Sequence, residues 1–381
     1  MSNSNRPLLV APGPVEIPET ALKAFASDIV HHRTPEFTRS LVSARGLLKK
    51  TLKTDREVYM FCSTGSGAME AAVVNFLDPN DKSLVIVSGK FGQRWADMLK
   101  IYGANVDLVC LENGDSMSLQ MLEEKLKANN YQSVYCQMCE TSTGAYHPIE
   151  EMGPMIKNFQ NDCLFIVDGI TGLLTKELDL QASKVDVMVA GSQKAFMLPT
   201  GMSFLWMSEL AEKKCESARC PRYYWDLRRE KKAIAKDQTA FSTASNLVFA
   251  LEAALGYILE TGLDNHYAEI AWRAESCRKL VSNLGLQVLA KTPAPALTAI
   301  CMPDKIDGKK LRQKIEDDCR VVFMGGQDEL TGKIIRIGHI GDLSRKEYSR
   351  ALKAFASEYM SFAGGYNKEQ QEQILSELDY E

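Results

Sequence analysis

The stretch Val185-Asp-Val-Met-Val-Ala-Gly-Ser-Gln-Lys194-Ala-Phe-Met-Leu-Pro199 sets a single lysine between small residues and an apolar run. Its first part, Val185–Ala190, reads as a strand that is apolar almost without alternation, as expected when both faces are covered. Toward the N-terminus, Glu57–Phe61, Ser83–Val87, Val106–Cys110, Ser133–Gln137 and Cys163–Val167 read as further strands. Between them Gly67–Phe76, Gln93–Tyr102, Leu119–Ala128 and Met152–Phe159 carry helical spacing. Such alternation predicts an α/β fold with a largely parallel sheet flanked by helices.

Ahead of this region Thr34-Pro35 marks a helix start, followed by Phe37, Leu41, Ala44 and Leu48 at helical spacing. Thr243–Thr261 and Tyr267–Leu284 are two more helices, the second ending at Gly285. Beyond Gly285 come short strands, Leu286–Leu289, Leu297–Met302 and Ile334–Ile337, with helices at Gly308–Asp317 and Arg345–Phe362. The pattern divides the 381 residues into an N-terminal segment (1–20), a large domain (21–264), a smaller C-terminal α/β domain (265–363) and a polar tail (364–381).

Composition is that of a soluble globular chain, 45% hydrophobic and 25% charged. A formal charge of −4 gives no general attraction to nucleic acid or to an anionic membrane. The basic run from Lys213 to Lys236 is interrupted by Glu212, Glu216, Asp226, Glu230 and Asp237, and reads as a solvated helical face. The start Met-Ser-Asn-Ser-Asn-Arg-Pro has no apolar signal region, so a cytoplasmic location with reduced cysteines is expected. Cys136-Gln-Met-Cys139 has metal-ligand spacing, but a lone C-x-x-C is a weak signal and a strand would point the two thiols to opposite faces. No metal is expected.

Three elements carry chemistry. The turn Ser63-Thr64-Gly65-Ser66-Gly67 follows a strand and opens a helix near Ala68. Its glycines allow backbone N–H groups to converge, and a helix N-terminus favours an anion. The turn is neither a Walker loop nor a dinucleotide fingerprint, and taken alone it also reads as a plain strand-to-helix connection. Asp168 ends the apolar run Cys163–Val167, where open α/β sheets place ligands, and it reads equally as a helix cap or as the partner of a cation. Lys194 lies where desolvation disfavours the ammonium and leaves an amine able to form a Schiff base; the alternative is a lysine that snorkels at the sheet rim. Together a phosphate cradle, a strand-end acid and a desolvated lysine are the groups that a pyridoxal 5'-phosphate site requires.

Ala11-Pro-Gly-Pro14, Ser63-Thr-Gly-Ser-Gly-Ala-Met-Glu70, Ser88-Gly-Lys-Phe-Gly-Gln-Arg94, Glu140-Thr-Ser-Thr-Gly144, Val167-Asp168, Gly191-Ser-Gln-Lys194 and Arg336-Ile-Gly338 occur in this order. The sequence thereby resembles the class V aminotransferases of the alanine–glyoxylate and serine–pyruvate branch over about residues 8 to 360. The resemblance implies a fold-type I pyridoxal-phosphate enzyme with a mostly parallel seven-stranded sheet, working as a homodimer with active sites at the subunit interface. It implies that Lys194 carries the cofactor and that Asp168 holds the pyridine nitrogen. Thr64, Gly65, Ser66 and Gln193 would bind the phosphate, and Thr243 would reach it from the partner subunit. Phe91 would stack on the ring, and one of Thr141 and Ser142 would approach its edge. Arg336 would pair with the substrate carboxylate near the backbone of Gly13. This sequence departs from the branch at Phe91, where tryptophan is frequent, and at Ala240, where a tyrosine is frequent. Pro221–Trp225 resembles the family's aromatic stretch beside the site, and His31-His32-Arg33 a motif of microbial members.

The expected reaction is a ping-pong transamination, with alanine or serine as donor and glyoxylate or pyruvate as acceptor. One rival is a class V lyase or desulfurase, but such enzymes carry histidine where Gln193 stands and a mobile late cysteine, whereas Cys319 lies at a helix-to-strand connection. The other is a non-catalytic binding protein of the same fold, against which stand Lys194, Asp168 and Arg336.

Overall fold

The computed structural model describes residues 6–379; the expectations for residues 1–5 and 380–381 lie outside it. Strands β1 (Val58–Phe61), β2 (Lys82–Val87), β3 (Asn105–Cys110), β4 (Ser133–Gln137), β5 (Leu164–Asp168) and β6 (Val187–Gly191) form where the apolar runs predict them, with small shifts at their ends. A further strand, β7 (Ser203–Met207), is buried along its whole length and lies outside the strands expected from the sequence. Among the described residues these make a seven-stranded sheet in the order β1-β7-β6-β5-β4-β2-β3. Only β7 runs antiparallel to its neighbours. The remaining pairings are parallel, so the other strands present their carboxyl ends at one edge of the sheet.

The unbroken apolar character of β5 and β6 follows from burial on both faces. Phe165, Val167, Met188 and Ala190 enter one core, which also takes Phe37 and Leu41 of the helix Pro35–Thr51 and Leu251 of the helix Ser245–Thr261. Leu164, Ile166, Val187 and Val189 enter the opposite core, against Ala72 of the helix Gly65–Phe76 and Trp95 of the helix Lys90–Ile101. Each such aliphatic side chain contributes roughly 1.5–3 kcal/mol on burial. At Thr34 the hydroxyl accepts the Phe37 amide at 3.3 Å, with Pro35 in the first helical turn, which is the start that the sequence announces.

The smaller sheet contains β8 (Gln287–Val288), β9 (Leu297–Cys301), β10 (Met324–Gly325) and β11 (Ile334–Gly338), all antiparallel, in the order β8-β9-β11-β10. Its core includes Ile300, Ile335 and Ile337 together with Leu311 and Phe355 of the helices Gly308–Cys319 and Arg345–Ala363. Residues near both ends of the described range join this core. Leu8–Leu9 pairs in parallel with Val321–Val322, and Leu8 and Val10 are buried there. The polar stretch after Gly365 holds a helix, Lys368–Ser376, capped by Asn367 and anchored through Ile374 and Leu378. The basic run 213–236 falls largely on the helices Glu209–Ser217 and Leu227–Ile234, where Lys213 pairs with Glu209 and Lys231 with Glu212.

Candidate active site

Parallel strands deliver most of the expected side chains to one sheet edge. β1 leads into Thr64, Gly65 and Ser66; β2 into Phe91; β4 into Thr141 and Ser142; β5 ends at Asp168; β6 leads into Gln193 and Lys194. Arg336 comes from β11 of the smaller sheet, and Gly13 from the N-terminal segment.

Lys194 is buried, and its Nζ donates to the carbonyl of Pro12. A Cβ on Gly13 would stand 2.4 Å from the Lys194 Cδ and 2.6 Å from Nζ, and Gly13 has a φ of +117°, so glycine is required for this approach. Burial, helped by the Arg336 charge, pushes the ammonium down to about 8 against the attraction of Cys139 and Asp168. The group is therefore a real fraction neutral amine near neutral pH, and the snorkelling alternative is excluded by its burial. Asp168 moves the other way, up to about 7, mainly through burial and further through Glu140, against the Ile170 amide, Arg94 and Lys194. Its Oδ1 accepts that amide at 2.8 Å. The carboxylate thus caps the local turn, and among the described residues it has no ion-pair partner.

The helix after β1 begins at Gly65, three residues earlier than Ala68. Gly65 and Ser66 therefore supply first-turn amides, and the Thr64 hydroxyl does not cap its own helix. A Cβ at Gly65 would meet the Ile170 side chain, with Cδ1 at 2.5 Å, so any larger residue there would have to displace it. Close to it lies Gln193, whose Oε1 is buried without a hydrogen-bond partner. Ser66 Oγ accepts from Arg94 Nη1 at 2.8 Å.

Arg336 donates from Nε to the Gly325 carbonyl at 2.9 Å and from Nη1 to the Thr141 carbonyl at 2.8 Å. It pairs with no carboxylate among the described residues, so the guanidinium is oriented without being neutralised. The Gly338 amide, two residues on, donates to Val10 at 3.0 Å, which ties Arg336's strand to the segment carrying Gly13. Thr141 Oγ1 lies 2.6 Å from Thr171 Oγ1, while the Ser142 hydroxyl donates to Glu140.

Glu140 was not singled out by the sequence reading, although, like Asp168, it is an acid closing an apolar run. It is fully buried and accepts the amides of Phe91, Gly92 and Ser142 at 3.1, 3.0 and 3.1 Å, with Gln137 Nε2 at 3.2 Å. It therefore fixes the start of the helix that carries Phe91. Burial raises its pKa, opposed by these hydrogen bonds.

The family model for aminotransferase class V matches residues 20–303. The chain belongs to the class-V aminotransferases. It is similar to the soluble hydrogenase 42 kDa subunit of Anabaena cylindrica, with 33% identity over 345 residues, 89% of this chain and 90% of that one. It is 32% identical over 367 residues to L-aspartate–glyoxylate aminotransferase of Paracoccus denitrificans, covering 94% and 92% of the two chains. Among solved structures, alanine–glyoxylate aminotransferase from Nostoc sp. superposes with a TM-score of 0.88 at 28% identity, covering 94% of this chain and 96% of that one. This aminotransferase is accordingly a fold-type I, pyridoxal-phosphate-dependent transaminase.

The residues present fit that cofactor. Uncapped first-turn amides, a buried acid that forms no ion pair among the described residues and a desolvated lysine all converge at the sheet edge. Thr243 stands apart from this set: its Oγ1 is 3.3 Å from Cys62 Sγ of its own chain. Trp225 of the aromatic stretch packs edge-on against Phe61 and donates to Glu70 at 3.2 Å, beside the start of the helix Gly65–Phe76. His31 and His32 stack on each other, and Arg33 donates to Gln238. Cys136 and Cys139 are both buried free thiols, and no cluster of metal-ligating side chains occurs among the described residues.

Proposed function

We propose that this aminotransferase moves the amino group of a small amino acid to glyoxylate or pyruvate by two half-reactions in one pocket. The observation that carries the reading is the convergence of Lys194, Asp168 and the Thr64–Ser66 turn, with Arg336 held over the same edge by the Thr141 carbonyl. Glyoxylate is the acceptor named for the relatives from Paracoccus denitrificans and Nostoc, whose named donors are aspartate and alanine. Alanine and serine remain the donors proposed for this chain.

Pyridoxal phosphate supplies an electron sink for the pair left when the substrate Cα–H bond breaks. Thr64, Gly65, Ser66 and Gln193 hold the phosphate with amides and hydroxyls. Phe91 would cover the ring face, and one of Thr141 and Ser142 would approach its edge. Asp168, as a carboxylate, keeps the ring nitrogen protonated. Lys194 would hold the cofactor through its aldehyde carbon at Nζ and, once freed, would carry the proton from the substrate Cα to that carbon. Arg336 grips the carboxylate common to amino acid and 2-oxo acid. In a homodimer Thr243 of one subunit reaches the phosphate of the other. The ten free thiols suit a reducing compartment such as the cytoplasm.

Loading the enzyme with pyridoxamine phosphate and adding single 2-oxo acids tests the reading through recovery of aldehyde-form absorbance. Glyoxylate or pyruvate should be the most efficient. Ammonia or sulfide release from an amino acid with no 2-oxo acid present would overturn it in favour of a lyase.

A further inference from the structure

The Ser63–Gly67 turn contains no lysine or arginine, so by itself it meets a phosphate dianion only with amides and hydroxyls. Such a charge is bound more strongly where a guanidinium shares it. Arg94, one turn into the helix Lys90–Ile101, donates from Nη1 to Ser66 Oγ at 2.8 Å. Its guanidinium carbon lies 4.8 Å from the centre of the Phe91 ring. One cation therefore bridges the phosphate turn and the residue proposed to cover the cofactor ring.

The acids near Arg94 form no ion pair with it among the described residues, although its charge acts on the buried Asp168. Asp97, one turn further along, accepts from Gln93 at 2.7 Å. Lys90, the other cation lining the adjoining cavity, is paired with Asp328 at 3.1 Å. Among the described residues Arg94 forms no ion pair, although it is half-buried, where an uncompensated charge is costly. Its hydrogen bond to the Ser66 hydroxyl ties it to the turn proposed to hold the phosphate.

We propose that Arg94 is a cofactor-binding residue that shares the phosphate of pyridoxal phosphate with Ser66. The proposal rests on the reading of the Thr64–Ser66 turn as the phosphate site. It adds the positive charge which that turn lacks.

The test is titration of the cofactor-free enzyme with pyridoxal phosphate and, separately, with pyridoxal, followed by Schiff-base absorbance. Arg94→Gln should weaken pyridoxal phosphate binding by about ten- to a hundredfold, the size of one charge-assisted hydrogen bond. Pyridoxal, which lacks the phosphate, should bind the variant as it binds the natural enzyme. Inorganic phosphate should compete with pyridoxal phosphate in the natural enzyme and much less in Arg94→Gln. Arg94→Lys keeps the charge and loses the planar fork, so it should fall between the two; it also carries the test if the glutamine variant folds poorly. Equal losses for pyridoxal and pyridoxal phosphate would reduce Arg94 to a packing partner of Phe91, and unchanged pyridoxal phosphate affinity would remove the role altogether. Failure of the natural enzyme to bind pyridoxal phosphate at Lys194 would instead overturn the underlying site reading.

Discussion

Opposite environments act on Lys194 and Asp168, and both shifts can be measured. Because burial lowers Lys194 to about 8, the neutral amine rises as pH passes through 8, more than two units below an exposed lysine. The rate of Schiff-base formation by the cofactor-free enzyme should climb with pH and level off above that value. A climb that continues toward pH 10 would mean an exposed amine. Burial pushes Asp168 up to about 7, well above an exposed aspartate, so the fold favours its protonated form. Stability of the cofactor-free enzyme should fall as pH rises from about 4 to 7, by at most on the order of 4 kcal/mol from this group. Melting curves of Asp168→Asn should lack that component; the same variant, saturated with cofactor, should lose far more turnover than cofactor affinity. Arg336→Lys keeps the charge but not the fork. It should lower kcat/KM roughly tenfold to a hundredfold in both half-reactions, while amines without a carboxylate lose much less. Equal losses for amines and amino acids would make Arg336 structural.

At the scale of elements, the helix Lys90–Ile101 depends on an acid from another strand. Its N-cap, Gly89, has no side chain to satisfy the first amides, and Glu140 accepts them instead. Glu140→Gln would turn an NH₂ group toward donors and should cost roughly 2–3 kcal/mol in a denaturant titration. It should also loosen Phe91, seen as a changed cofactor absorbance or circular dichroism band. A variant as stable as the natural enzyme, with an unaltered cofactor band, would show that the helix start is held by other means. Nothing local in Gly89-Lys-Phe-Gly announces this partner, because Glu140 lies 48 residues away from Gly92 and reaches it only through sheet packing.

For the whole molecule, Thr243 decides between one subunit and two. Its hydroxyl rests against Cys62 of its own chain, and a phosphate role requires a partner subunit to supply it. Sedimentation should give a dimer, and Thr243→Ala should lower cofactor affinity; a fully active monomer would remove the role. The architecture also joins the two sheets through the first residues of the chain. Leu8 and Val10 are buried in the smaller core, while the Pro12 carbonyl accepts from Lys194.

Periodicity in the sequence was enough for the parallel sheet, because two-sided burial leaves unbroken apolar runs and the connecting helices leave their own spacing. The lysine, the strand-end acid and the glycine turn were legible as well, since each is a residue type that its surroundings would otherwise exclude. The strand Ser203–Met207, no shorter than β4, β5 or β6, was not read from the sequence, and the helix Lys368–Ser376 was too polar to show an apolar face. Only tertiary structure could join Glu140 to the Phe91 amide, Arg94 to Ser66, and the Thr141 and Gly325 carbonyls to Arg336. These partners all lie on separate elements, and hydrogen bonding between distant residues leaves no mark in local composition. Chemistry at the strand ends belongs to residue type and spacing; its charge balance and orientation belong to the packing that brings those ends together.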